Sequence, residues 1–257
     1  MVMKINKIFF LLVCSVQAFS QNFVSTAKVE YEMMINTDGS LQNFEANLYF
    51  NNVYSKFDYK NKETSDKVSE IKTATNVSKT VIKKADTTMT SIFFNPVKNI
   101  LYSSKLNEVV FEDNNQQKWE LIDEQKVIGN LHCAKAVCSF RGRDYIAWYV
   151  NTIPVSFGPW KFNGLPGLII EIYDSRKEVY MAVKKIDMPF SKNITGIDSE
   201  QTLISREEEQ KKVAEQWAKK QKEIETRAKI IESSFSKEDK VRIKVSEPVF
   251  NKGIEIE

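Results

Sequence analysis

The sequence predicts an α+β protein that is mostly β, built as a strongly curved antiparallel sheet or partial barrel with a long charged C-terminal helix. Three observations carry this prediction. Apolar residues alternate with polar ones, with aromatic and β-branched enrichment, from residue 27 to residue 186, the period-two pattern of strands with one buried face. Turn formers punctuate that stretch at hairpin-like intervals. Beyond residue 199 the spacing changes to helical.

Val29, Tyr31, Met33 and Ile35 alternate with charged or polar partners. After the turn signal Asn36-Thr37-Asp38-Gly39, Phe44, Ala46, Leu48 and Phe50 fall on one face, so the two segments read as a hairpin. Residues 61–90 are rich in Lys, Thr, Ser and Asp and read as a polar excursion with a weak strand near 77–82. Strands resume at 91–94, 100–103, 109–112 and 119–122, separated by Asn-Pro, Leu-Asn and Asn-Asn-Gln. The meander continues through 126–129, 133–140 and 144–150 to a Pro- and Gly-rich loop, 153–167. Strands at 168–173 and 179–186, joined by Asp174-Ser175-Arg176-Lys177, complete the sheet. About ten short consecutive strands suit a curved antiparallel sheet.

Ser205-Arg206-Glu207-Glu208 matches a capping box, with Glu207, Glu208 and Glu209 where the helix dipole favours acids. Val213, Trp217, Ile224, Ala228 and Ile231 then recur as a narrow stripe. Glu207 with Lys211, Glu215 with Lys219 and Glu225 with Lys229 stand four apart, each pair contributing about 0.3 kcal/mol to a largely solvated helix. The alternating Val241, Ile243 and Val245 suit one last strand or a tail.

Lys4 and Lys7, the apolar run 8–13 and Ala18-Phe19-Ser20 have the layout of a secretory signal, cleaved after Ser20. A lipid anchor at Cys14 fits less well, because Val13 precedes it and almost no hydrophobic core would remain. No later apolar stretch approaches the ~20 residues that span a bilayer, so the expected product is periplasmic or secreted. The expected organisation is a signal at 1–20, an antiparallel β domain at 21–198, and a helix and tail at 199–257. Without the signal, 35 basic residues face 34 acidic ones, and a net charge of +1 sets up no field toward nucleic acid.

Gly164-Leu165-Pro166-Gly167-Leu168-Ile169 interrupts apolar residues and leads straight into a strand. Pro166 presets φ at about −65° and Gly167 accepts positive φ, so Leu165 to Leu168 suits a type II turn. Gly164 lets the backbone pass close to a neighbour. With Arg141-Gly142-Arg143, Trp148-Tyr149, Ile153-Pro154 and Gly158-Pro159-Trp160 upstream, the block resembles the GLPGLI family of secreted proteins from diderm bacteria. The resemblance covers mainly residues 119–174. It implies an exported protein acting beside outer-membrane transport systems, and it assigns no catalytic residue and no cofactor.

Trp148, Tyr149, Trp160, Phe162 and Leu165 surround the motif. They read either as the wall of a pocket for an apolar or peptide ligand or as a plug that closes one end of the sheet. Glu171 inside an apolar run needs a partner if it faces inward, and Arg141 or Arg143 could supply it. Trp217 stands where a docking anchor on the helix would.

The single histidine, His132, limits catalytic schemes. On one strand it and Cys133 point to opposite faces and cannot activate each other. No nucleophile, base and orienting group share an interpretable spacing, so the expected protein is not an enzyme. Cys133 and Cys138 are ~16 Å apart on an extended strand, beyond disulfide reach, unless the segment folds back as a hairpin. The leading expectation is a non-enzymatic envelope binding or accessory protein, its partner an apolar ligand or an outer-membrane or envelope protein segment. The alternative is a copper- or zinc-handling protein using His132, Cys133 and Cys138; a site of His132 and Cys138 with Met181 or Asp144 is the other ligand set those residue types allow.

Overall fold

The computed structural model describes residues 22–37, 40–62, 67–72, 78–83, 88–105, 108–114, 117–196 and 201–234. The signal segment 1–20, the Asp38-Gly39 turn and the tail with Val241, Ile243 and Val245 lie outside the described residues. In chain order the elements are β1 (Phe23–Ser25), β2 (Ala27–Thr37), β3 (Ser40–Phe50), β4 (Ser55–Asn61), β5 (Lys67–Lys72), β6 (Ser78–Lys83), β7 (Thr90–Asn95) and β8 (Ile100–Lys105). They continue as β9 (Glu108–Asp113), β10 (Glu120–Ile128), β11 (Leu131–Phe140), β12 (Arg143–Val150), β13 (Leu168–Asp174), β14 (Val179–Asp187), β15 (Lys192–Ile194), β16 (Thr202–Ser205) and α1 (Arg206–Ser234).

Twelve strands form one open sheet in the order β10-β11-β12-β13-β14-β2-β3-β4-β7-β8-β9-β16. It is two meanders set side by side. The first runs from β2 to β9, the second from β10 to β14, and they join where β14 pairs antiparallel with β2, Met181 opposite Met33. Alternation does the sorting. Val29, Tyr31, Met33 and Ile35 are buried on the inner face of β2, and the register sets Leu48, Ala46 and Phe44 beside the first three.

This order forces curvature. In a flat sheet β9 and β10 would be ten strand spacings apart, about 48 Å at ~4.8 Å each. The chain joins Asp113 to Glu120 in seven Cα steps, which span at most about 25 Å. The sheet must therefore curl until its two ends approach, although hydrogen bonding stops at β10 and β16 and the barrel is not closed.

Several expectations need correction. The sheet is not wholly antiparallel, because β16 pairs parallel with β9. Strands foreseen at 119–122 and 126–129 are one strand, β10, with a register shift between Ile122 and Gln125; Asp123 and Glu124 make a bulge rather than a turn. The short strands β1 and β15, unforeseen, pair with each other. Their Phe23 and Ile194 join Phe93 in a small second core bordered by Tyr49, Tyr54 and Tyr102. In the polar excursion, β5 and β6 form a separate two-stranded sheet.

The motif's glycines exchange their expected roles. Gly164 adopts φ +94°, with only ordinary contact to the Trp119 ring. Gly167 has no left-handed backbone; it is glycine because a Cβ there would lie 2.2 Å from the Val150 carbonyl oxygen and 2.7 Å from its carbon. That approach is backbone on backbone and no rotamer relieves it. Gly167→Ala should therefore cost about 3 kcal/mol or more, and Gly164→Ala about 1 kcal/mol for its positive φ. Chemical unfolding of both variants checks the order; a Gly164→Ala loss as large as that of Gly167→Ala would reverse the assignment.

Candidate functional site: the loop that fills the curved sheet

Residues 151–167 connect β12 to β13 and lie across the inner face. Register places Phe50, Ser55, Phe94, Leu101 and Glu112 in one row across β3, β4, β7, β8 and β9. The loop follows that row. The Phe157 ring meets Phe50 at 6.0 Å and Phe94 at 6.2 Å, and Lys161 forms an ion pair with Glu112 at the row's end. Tyr31 Oη donates to the Ile169 carbonyl at 2.6 Å, tying β2 to the start of β13, and burial pushes its phenol far above the usual range.

The loop holds its own shape. Gly164 N–H donates to Ser156 O at 3.0 Å, Phe162 N–H to Pro159 O at 3.1 Å, and Leu168 N–H to Ile153 O at 3.0 Å. Trp160 sits at φ +55°, a conformation costing an aromatic residue about 1–2 kcal/mol. Its ring packs against Phe140 and Phe162 at 5.9 and 5.4 Å, and Phe162 meets Tyr145 edge-on at 4.7 Å. These contacts hold Trp160 in place.

A polar seam runs beside the aromatic cluster. Asn114 and Asn163 exchange side-chain hydrogen bonds at 3.2 and 3.0 Å. Gln117 accepts from Asn163 N–H at 3.1 Å, and Trp119 Nε1 donates to Asn163 O at 2.8 Å. Asn114, Gln117 and Trp119 are thus stitched to the loop. Glu112, its side chain 6% exposed, pairs with Arg141 at the β11–β12 turn, Lys161 of the loop and Arg206 at the start of α1. One carboxylate joins four parts of the chain.

Of the residues expected to line a pocket, Trp160, Phe162 and Leu165 are 6%, 2% and 1% exposed. Trp160 and Phe162 belong to this packed cluster. Tyr149 is also buried, opposite Ala134 and Ile169. Trp148 is buried as well, at 7% exposure, and belongs to the same core. It stands on the other face of β12 from Tyr145 and Ala147, beside Lys135 and Glu171, with Lys126 Nζ 4.5 Å from its ring centre.

Glu171 pairs with Lys126 and accepts from Tyr180 Oη at 3.1 Å. Burial, then the Glu171 carboxylate, pushes the Tyr180 phenol up to about 12. The expected partners of Glu171 are engaged elsewhere. Arg141 takes Glu112, while Arg143 is buried against Asp174 at 2.9 Å and Glu178 at 2.5 Å. Alternation along β13 explains this, because Glu171 and Ile172 face opposite sides and Ile172 is the buried one.

The three residues of the metal alternative are not gathered. Cys133 and Cys138 are free and buried, on opposite faces of β11 by parity, and exposed His132 sits at the strand's far end. Asp144 accepts from Ser139 Oγ at 2.5 Å. Among the described residues no three His, Cys, Asp or Glu side chains are grouped to hold an ion. Burial pushes the Cys133 thiol up and, with Asp144, raises that of Cys138 to about 12.

Sequence reasoning missed Glu112, Lys161 and the Asn114–Gln117–Asn163 seam. Lys161 was findable as a lone cation between two aromatic residues of a dense apolar block, which burial obliges to find an acid.

A family model described as "Protein of unknown function (Porph_ging)", of the GLPGLI type, matches residues 141–171, the segment from the Arg141 turn through the loop to Glu171. No curated protein matches the chain. Two solved structures, of PNGF-II in the C2 and P21 space groups, share 16% and 15% identity with it, at TM-scores of 0.45 and 0.43. Each match covers 71% of this chain and 31% of the other, so the chain spans about a third of those proteins' length.

Two outcomes follow from this geometry. At pH 8 both thiols should resist iodoacetamide in the folded protein and react fully in guanidinium, read by mass spectrometry; rapid labelling of either would contradict its placement. Asp174→Ala leaves buried Arg143 with Glu178 as its acid and takes the acceptor from Val179 N–H, and should cost about 3 kcal/mol, whereas Lys126→Ala, on a pair with one part-exposed partner, should cost about 1 kcal/mol.

Proposed function

We propose that this protein is an exported, non-enzymatic binding or accessory protein of the cell envelope that meets its partner with its exterior. The observation that carries the reading is the filled inner face. Trp160, Phe162 and Leu165 are spent on packing the loop into the curve of the sheet, and Lys161 is spent on Glu112. An apolar ligand held on the concave side would have to displace this ordered loop.

Export rests on Lys4, Lys7, the apolar run 8–13 and Ala18-Phe19-Ser20. The partner that fits is an outer-membrane or envelope protein. The narrower version, with Trp148, Tyr149, Trp160, Phe162 and Leu165 lining one pocket, is the less economical reading, since Trp148 faces away from Tyr145 while Phe162 packs on that ring. The copper- or zinc-handling version needs His132, Cys133 and Cys138 together, and β11 spreads them over both faces.

Native mass spectrometry of residues 21–257, taken from the envelope fraction without detergent, decides among these readings. The expected mass is that of the bare chain. A retained lipid or peptide overturns the exterior reading in favour of the concave pocket, and a copper or zinc adduct overturns it in favour of the metal reading.

A further inference from the structure

β16 is the parallel strand of an otherwise antiparallel sheet, four residues long and placed at the edge. Its pairing sets Leu203 beside Val109 and Ile204 beside Val110. Only Ile204 is deeply buried, at 3% exposure, while Leu203 is 39% exposed. The helix that follows meets the sheet through charged side chains. Ser205 Oγ accepts from Glu208 N–H at 3.1 Å within the arm itself. Toward the sheet, Lys212 reaches Glu108 at 2.9 Å with both side chains 41% exposed, and Arg206 reaches Glu112 at 3.6 Å. From Val213 onward the described helix side chains are exposed, Trp217 half-buried.

We infer that β16 and α1 form one detachable arm, a strap over the β9 edge that opens while the rest of the sheet stays folded. Three arguments support separability. Among the described residues the arm buries one large apolar side chain, Ile204, where the main core holds thirty buried residues, and segments with few buried contacts open at low local free energy. Parallel pairing at an edge is the weaker kind. The seam also survives the arm's departure, because Glu112 keeps Arg141 and Lys161 when Arg206 leaves.

Opening changes the surface of one strand. The β9 backbone groups turned toward β16 lose their partners beside the apolar Val109 and Val110, and Glu108 loses Lys212. The opening leaves an uncovered strand edge, and it is measured without any partner.

The test is residue-resolved amide hydrogen exchange on the whole chain. The amides of β16, and those of β9 directed at it, should exchange together and at least about 100-fold faster than those of β2, β3 and β14. Ile204→Ala should speed exchange in β16 and β9 by about 30-fold or more and leave β2, β3 and β14 unchanged. Lys212→Ala, a surface change that spares folding, should shift the same two strands in the same direction by a smaller factor. Exchange in β16 as slow as in β2 overturns the proposal, and so does either variant if it accelerates all the strands equally. A partner that fails to appear leaves these rates untouched, so failure of the exterior-binding reading is distinguishable.

Discussion

The constraint on which the structure depends is the short link between β9 and β10. It starts at the penultimate strand of one end of a twelve-stranded sheet and finishes at the edge strand of the other. Six intervening residues cannot cross a flat sheet of that width. Everything on the inner face follows from the resulting curl. The two ends of the sheet approach without hydrogen-bonding, and the loop before β13 lies across the inner face, with aromatic rings toward the core and amides and charges toward the seam.

Glu112 is the electrostatic counterpart of that constraint. A carboxylate this well covered is costly to hold alone and stable when cations converge on it. Here they come from the β11–β12 turn, the loop and the start of the helix. The node joins the end of the first meander to the second and fixes how far the sheet closes. The buried Arg143–Asp174 pair does a related task within the second meander, where Asp174 also accepts from Val179 N–H at 2.8 Å and so shapes the turn into β14.

Much of the sheet was legible. The alternation of Val29, Tyr31, Met33 and Ile35 named the buried face of β2 because a strand has only two sides. The hairpin to Phe44, Ala46, Leu48 and Phe50 followed from the same rule. Strand order was not legible: β14 beside β2 is a long-range choice that no local pattern encodes. Nor was β16, since Thr-Leu-Ile-Ser is too short to show a period. Gly164 and Gly167 show a subtler limit. Sequence identifies both as positions that exclude a side chain, but positive φ and close backbone approach leave the same letter. The candidate site was half readable: its aromatic residues were visible as a block, but Trp148 separates from Trp160 because parity along β12 places it on the other face.

The junction of β14 with β2 carries a consequence for biosynthesis. Met33 meets Met181, 148 residues later in the chain, so one flank of the earliest long strand stays bare while most of the polypeptide is still being made. At ribosomal speeds of about 5–20 residues per second, that interval is roughly 7–30 s. During it, β2 offers an uncovered row of backbone donors and acceptors next to Val29, Tyr31 and Met33, the kind of nascent surface that holdase chaperones shield.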